Sequence, residues 1–355
     1  MKARSHRKAP SGITRREFTK AVGAGLAAVS LAGPRVHAQD KSGTHPLVFG
    51  KGEHTYELIP DWARLPKGKQ FGNTHGVVED AQGRIFIHNA SPTGDAVCIF
   101  DADGKFIDSW GVEFQRGAHG MTLHQEGNEE FLYLACTNQN RIYKTTLSGE
   151  IVWSKGPPPL KEVYGQRGRY VPTNIAFAPN GDFYVADGYG QSWIHHYGPT
   201  GEYIRSWGGK GKEPGKMDCP HGIWVDTRGS EPTVVVADRA NVRLQYFTLD
   251  GKHIRFVAHD LRYPCNFRIR GSDLLIPDLY GRVTIFDKDN QLITHLGLGS
   301  DDAQWKKPEG YPNVPHEKRV VGEFISPHDA CWDAKGNLYV VEWVPDGRVT
   351  KLRRV

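Results

Sequence analysis

The dipeptide His-Gly or His-Asp returns along this chain at His75-Gly76, His119-Gly120, His221-Gly222 and His328-Asp329, each time ahead of an apolar run and a Gly-containing turn. Two further segments, Pro172-Thr173-Asn174-Ile175 and Pro264-Cys265-Asn266-Phe267, open in the same register without the histidine. Such a repeat constrains the fold more than composition does, because each unit can bury its apolar faces only against its neighbours. Within a unit, the opening strand is followed by a turn such as Ala81-Gln82-Gly83 or Ala334-Lys335-Gly336. A second strand (Arg84 to Ile87, Leu338 to Val341), a third (Arg141-Ile142-Tyr143, Arg282 to Phe286) and a last one ending in Trp110-Gly111, Trp207-Gly208 or Leu296-Gly297 complete it. Four short strands at a spacing of about 45 residues make a propeller blade. Six openings predict an all-β, six-bladed β-propeller over residues 71–355.

The sixth unit holds only about three strands before Val355. The segment Tyr56-Glu57-Leu58-Ile59, within residues 39–70, is expected to supply the missing outer strand and close the ring, which removes open sheet edges. Two insertions rich in Pro, Gly and charge, Gly156 to Val171 and Gly299 to Glu323, are expected to cover one mouth.

Residues 1–38 read as an export signal. Thr14-Arg15-Arg16-Glu17-Phe18-Thr19-Lys20 is a twin-arginine pattern, Ala21 to Ala32 is mildly apolar, and Val36-His37-Ala38 is a small-residue cleavage pattern. Cleavage after Ala38 predicts a periplasmic protein, exported folded, with no membrane anchor and 317 of its 355 residues retained. The apolar run falls short of the ~20 strongly apolar residues of a membrane span. The whole chain has a formal charge of +5, but the signal carries eight Lys or Arg against one Glu. Removing its +7 leaves −2, which excludes nucleic acid and anionic membrane as partners. The five cysteines, Cys98, Cys136, Cys219, Cys265 and Cys331, are scattered and odd in number, with no Cys-x-x-Cys pair, and predict buried thiols rather than disulfides.

Chemistry is sought at the hub. His119, His221 and His328 belong to alternate blades, so they lie about 120 degrees apart around the axis, a geometry that suits one Zn²⁺ with an open coordination position. A single histidine at this register more often bonds backbone; three at alternate blades favour metal. Asp329 adds a carboxylate in the same tunnel. With the carbonyls of Val77 and Met121 it offers oxygen for a structural Ca²⁺, or it orients a histidine as a hydrogen-bond acceptor. His75, in blade one, is a fourth ligand that closes the site or a general base.

The repeat resembles NHL-type propellers over essentially the whole mature chain. The hub motifs resemble one family within that group, the peptidyl-α-hydroxyglycine α-amidating lyases. Pro172-Thr173-Asn174-Ile175 with Val185-Ala186-Asp187-Gly188-Tyr189 is similar to the segment that carries the family's catalytic tyrosine, which implies that role for Tyr189. Pro220-His221-Gly222 with Val236-Ala237-Asp238-Arg239 is similar to the segment with a zinc histidine and a cavity arginine, implying His221 and Arg239. Pro327-His328-Asp329 and Ala118-His119-Gly120-Met121 match the other zinc histidines and the calcium aspartate. The resemblance implies a zinc-dependent carbon-nitrogen lyase that splits a carbinolamide into an amide and an aldehyde acid. One departure stands out: alignment of Ile85-Phe86-Ile87-His88-Asn89 puts Asn89 where the family carries a catalytic arginine, and an amide cannot make a charged fork to a carboxylate. The expected partner is a small or peptide-derived substrate in the tunnel. The alternatives are a noncatalytic, metal-stabilised NHL module that binds a protein or ligand and a lactonase-type hydrolase, the weaker of the two because lactonase propellers rely on Glu, Asn and Asp around their metal.

Overall fold

Hairpin turns set the strand lengths. In blade one, Asp80 accepts the backbone N–H of Gln82 and Arg84 on one carboxylate oxygen (3.0 and 2.8 Å), and Gly83 takes the positive φ of 75° that the turn demands. Asp101 and Asp287 hold their turns in the same way. The computed structural model, which describes residues 46–165 and 168–355, contains six antiparallel sheets arranged as a six-bladed β-propeller. The twin-arginine segment and its cleavage pattern lie outside the described residues.

Five sheets have four strands; in four of them the inner strand starts at or within the blade opening, and in blade five the opening, residues 264–267, runs just ahead of the inner strand Arg268–Arg270. The sixth sheet has five. Its order is Val48–Lys51, His54–Ile59, Arg348–Arg354, Leu338–Glu342 and Pro327–Trp332. The strand His54–Ile59 pairs with the last strand of the chain in the register Tyr56 to Arg354 and Ile59 to Lys351, so the N-terminal segment closes the ring as expected. The outermost strand Val48–Lys51 extends this blade and was not read from the sequence.

The core is divided among the interfaces between blades. Val78, Phe86, Met121 and Leu134 pack blade one on blade two; Val235, Tyr246, Leu274 and Phe286 pack blade four on blade five; Tyr56, Leu275, Leu338 and Leu352 pack blade five on the closing blade. All five cysteines are free thiols; four are buried and Cys219 is partly exposed.

A second repeated device sits at the end of the second strand in five of the six blades, blade two ending instead at Cys136. Asp187 accepts Val171 N–H (2.7 Å), Asp238 accepts Asp218 N–H (2.7 Å), Asp278 accepts Arg262 and Tyr263 N–H, and Glu342 accepts Ile325 and Ser326 N–H. Each acid thereby holds the segment that enters its own blade. Asn89 is the blade-one member: its Oδ1 accepts Gly72 and Ser91 N–H, and its Nδ2 donates to the carbonyls of Asp95 and Ala96. Fully buried and with its bonding capacity used on backbone, Asn89 serves the scaffold rather than the tunnel. This corrects the reading of Asn89 as a substrate-facing position that has lost a cation.

Candidate metal centre and active site

Inner strands crowd at the axis, and small residues make room for the histidines. A Cβ on Gly120 would lie 2.3 Å from the Thr173 carbonyl oxygen, and one on Gly222 would lie 2.5 Å from that of Cys265. Glycine after the histidine is therefore required where neighbouring strands meet. With that room, His119, His221 and His328 form a nearly equilateral triangle, with ring centroids 4.7, 4.8 and 4.8 Å apart.

Each ring is oriented by the next blade. His119 Nδ1 donates to the Thr173 carbonyl (2.7 Å), His221 Nδ1 to that of Cys265 (2.8 Å) and His328 Nδ1 to that of His75 (2.8 Å). The three acceptors occupy the equivalent position in blades three, five and one, so the arrangement repeats three times around the hub. Tying Nδ1–H to a carbonyl fixes the tautomer and leaves Nε2 as a lone pair, the usual second contact of a metal-binding histidine. His119 Nε2 and His221 Nε2 then face each other at 3.2 Å. Two lone pairs at that distance repel unless a cation or shared proton lies between them. Ligand nitrogens around a tetrahedral zinc are about 3.3 Å apart. The donor set thus fits a bound divalent metal.

Burial governs the protonation of the cluster. It pulls His119 down to about 3 and holds His75, His221 and His328 well below the usual histidine range, with neighbouring imidazoles and the Arg239 charge adding to the effect. All four are therefore neutral at ordinary pH, the form that ligates metal. His75 Nδ1 lies 3.2 Å from His328 Nε2. Among the described residues, two groups have ligand atoms close enough to share one metal ion: His75 with His119 and His328, and His221 with Cys265 and His328. As a donor His75 caps the His328 lone pair; in its other tautomer it would present a fourth nitrogen.

Tyr189 and Arg239 face the same cluster. Tyr189 leaves 41% of its surface open toward solvent, yet its hydroxyl is inserted between His221 Nε2 (2.9 Å) and His119 Nε2 (3.1 Å). Burial around that hydroxyl raises its pKa, and the Arg239 guanidinium, 3.3 Å away, opposes the rise. Arg239 is buried between the rings of Tyr189 and Tyr263, with the Cys219 and Cys265 thiols as its other neighbours. Among the described residues it makes no ion pair, and its Nε has no partner. Tyr263 stacks on Tyr280 at 4.5 Å, and Tyr280 packs against Trp305 and Tyr311 of the second mouth insertion. An aromatic wall thus runs from that loop to the buried cation.

The calcium expectation is corrected. Asp329 is fully buried, and its oxygens accept four hydrogen bonds, from Val77 N–H, Ala330 N–H, Asn266 Nδ2 and Arg268 Nη2. Burial pushes its carboxyl up to about 6 and these donors oppose the rise. With a donor at every contact, the carboxylate is the form that fits. The same Arg268 Nη2 reaches the carbonyls of Val77 (3.3 Å) and Met121 (3.2 Å). The three groups expected to bind calcium surround a guanidinium instead, and the residues present do not fit a calcium ion.

Sequence reasoning did not single out Arg268, Tyr263, Asn174 or Asn266. The mixture at one register of Gly76, Gly120 and Gly222 with Asn174, Asn266 and Asp329 was a readable sign of a crowded polar layer; the reach of Arg268 across the axis was not.

No protein-family model matches the chain. Among curated proteins it is similar to peptidyl-alpha-hydroxyglycine alpha-amidating lyase 1 of Drosophila melanogaster, 27% identical over 269 residues, covering 69% of this chain and 46% of that protein. It is 34% identical over 221 residues to the peptidylglycine alpha-amidating monooxygenase of Rattus norvegicus, covering 60% of this chain and 20% of that one. The chain thus spans less than half the length of either relative. Among solved structures, a virginiamycin B lyase from Staphylococcus aureus matches with a TM-score of 0.54 at 14% identity, over 84% of this chain and all of that one. A putative gluconolactonase matches with a TM-score of 0.54 at 13% identity, over 83% of this chain and 93% of that one. Both share the propeller fold. The chain is a six-bladed propeller similar in sequence to the amidating lyases.

Proposed function

We propose that this chain is an exported, metal-dependent lyase that cleaves the N–C bond of a carbinolamide-type substrate in its hub. The observation that carries this reading is the threefold set of His119, His221 and His328, with every Nδ1 anchored on a carbonyl, ring centroids 4.7 to 4.8 Å apart, His119 and His221 Nε2 3.2 Å apart and the Tyr189 hydroxyl in contact with both of those. Those histidines would hold zinc, which when bound supplies Lewis acidity at the substrate hydroxyl. Arg239, buried and without a carboxylate partner, binds the acidic end of the substrate. Tyr189 handles the hydroxyl proton at its Oη, with Arg239 favouring the charged form of the phenol. In the overall reaction the N–C bond breaks, the carbinol carbon becomes an aldehyde and the hydroxyl proton ends on the amide nitrogen, so no oxidant is consumed.

A second reading has one observation in its favour. His75 Nδ1 is positioned beside His328 Nε2, and a fourth nitrogen would close the coordination sphere, as in a noncatalytic metal-stabilised binding module. The test combines elemental analysis of the purified protein with glyoxylate release from a hydroxyglycine-capped peptide. Zinc with turnover supports the lyase; zinc without turnover, in both the parent and His75→Ala, supports the binding module. His119→Ala is expected to lose the metal while keeping its β-sheet circular dichroism. Full zinc retention in that variant would rule out the ligand set.

A further inference from the structure

The tunnel has a floor. Beneath the histidines, Asn174 Nδ2 donates to Asn266 Oδ1 (2.5 Å), Asn266 Nδ2 donates to Asp329 Oδ1 (2.8 Å), and Arg268 closes the chain on Asp329 Oδ2 (2.8 Å). Arg268 is buried, donates through Nη1 to the Phe267 carbonyl (2.8 Å) and lies 5.2 Å from the Trp224 ring centroid. Its Nη2 has three acceptors: the Asp329 carboxylate and the carbonyls of Val77 and Met121, which belong to blades six, one and two. One carboxylate and two carbonyls converging from separate strands make an oxygen-rich pocket of negative potential, the donor type a hard cation takes. Without a positive charge at its centre, such a pocket would leave a buried anion uncompensated.

We propose that Arg268 is a tethered cation doing the work of a structural calcium ion: it ties blades one, two, five and six together at the floor, and its removal converts the floor into a calcium site. The guanidinium differs from a free ion in two ways. Its charge arrives with the chain, so closing the floor needs no metal uptake. Its planar fork also reaches Phe267 in its own blade while it bridges the others, which a spherical ion bound at the same oxygens would not do. The proposal is independent of the lyase reading, because it concerns the floor and its readout is calcium content and thermal stability.

The experiment compares the full-length parent with Arg268→Ala and Arg268→Met, all with zinc present and no chelator. Each is dialysed against millimolar calcium or, as a control, magnesium. Bound calcium is measured by elemental analysis and melting by circular dichroism. The parent is expected to hold no stoichiometric calcium and to melt at the same temperature in either salt. Arg268→Ala leaves the oxygens and an ion-sized space; it is expected to melt roughly 10 °C lower without calcium, then to bind about one calcium per chain and recover most of the loss. Arg268→Met loses the charge but fills the space, so it is expected to show the loss without recovery. The proposal is overturned if the parent carries about one calcium per chain, if Arg268→Ala is not restored by calcium, or if magnesium or the methionine variant recovers equally well. Should Arg268→Ala not fold, the parent's calcium content and recovery on refolding with calcium decide the matter.

Discussion

Tyr189 shows how much a single atom can decide at this hub. Its ring is open to solvent and its hydroxyl contacts the hub histidines, so the two parts separate by mutation. Tyr189→Phe keeps the ring and removes the atom that contacts His119 and His221. The expected result is unchanged zinc content by elemental analysis and a turnover about 10²- to 10⁴-fold lower in the glyoxylate assay, the usual contribution of a positioned proton-transfer group. Gly120 is the complementary case, where the missing side chain matters. An alanine there brings its Cβ to 2.3 Å from the Thr173 oxygen that orients His119, and this contact is backbone that cannot swing away. Gly120→Ala is expected to destabilise the fold by about 1–3 kcal/mol in a urea titration and to reduce zinc content by displacing the Nδ1 anchor. The histidines and these glycines were legible because each sits at one register of a repeat. Arg268 was not, since a strand sequence does not say how far a long side chain reaches.

At the scale of elements, the closing strand His54–Ile59 carries much of the ring's integrity. Tyr56 is 1% exposed, packs with Leu275, Leu338 and Leu352, and accepts a hydrogen bond from Trp332 Nε1 at 3.0 Å. Tyr56→Ala removes the buried ring and leaves that indole donor without its partner; the expected cost is about 3–5 kcal/mol, read from the shift of the denaturant midpoint. The strand was foreseen because the last blade lacked one, whereas Val48–Lys51 was not, since its four residues carry no alternation strong enough to mark a strand. The acids at the ends of the second strands form a further repeated element. Ala186-Asp187, Ala237-Asp238 and Pro277-Asp278 show it in the sequence, and placing Asn89 in that series would have identified its structural role. Aligning it with a catalytic arginine obscured that role.

The whole molecule is a ring whose hub holds a hydrogen-bonded layer of Asn174, Asn266, Asp329 and Arg268, with Tyr189 beside the histidines leaving 41% of its surface open to solvent. Its stability should depend on pH through buried neutral imidazoles remote from the hub histidines. His295, in the last strand of blade five, is 8% exposed and is pulled by burial, and then by the Arg282 charge, from 6.5 to about 3. Between those values the unfolded chain binds a proton that the folded chain does not, so stability falls as pH drops from 6.5, by up to about 1.4 kcal/mol per pH unit for this site. His295→Gln should flatten that dependence, measured as the difference between denaturant midpoints at neutral and mildly acid pH. An unchanged difference would mean that His295 is protonated in the folded state.

The sequence alone determined the blade count, the ring closure and the three histidines at alternate blades, because repeat register maps directly onto angular position around an axis. The tertiary structure decided what the register does not carry: which way each imidazole points, that Asn89 bonds backbone, and that a guanidinium from blade five lies among oxygens from three other blades. Those outcomes depend on distances between atoms far apart in the chain, and local spacing holds no information about them until the ring has closed.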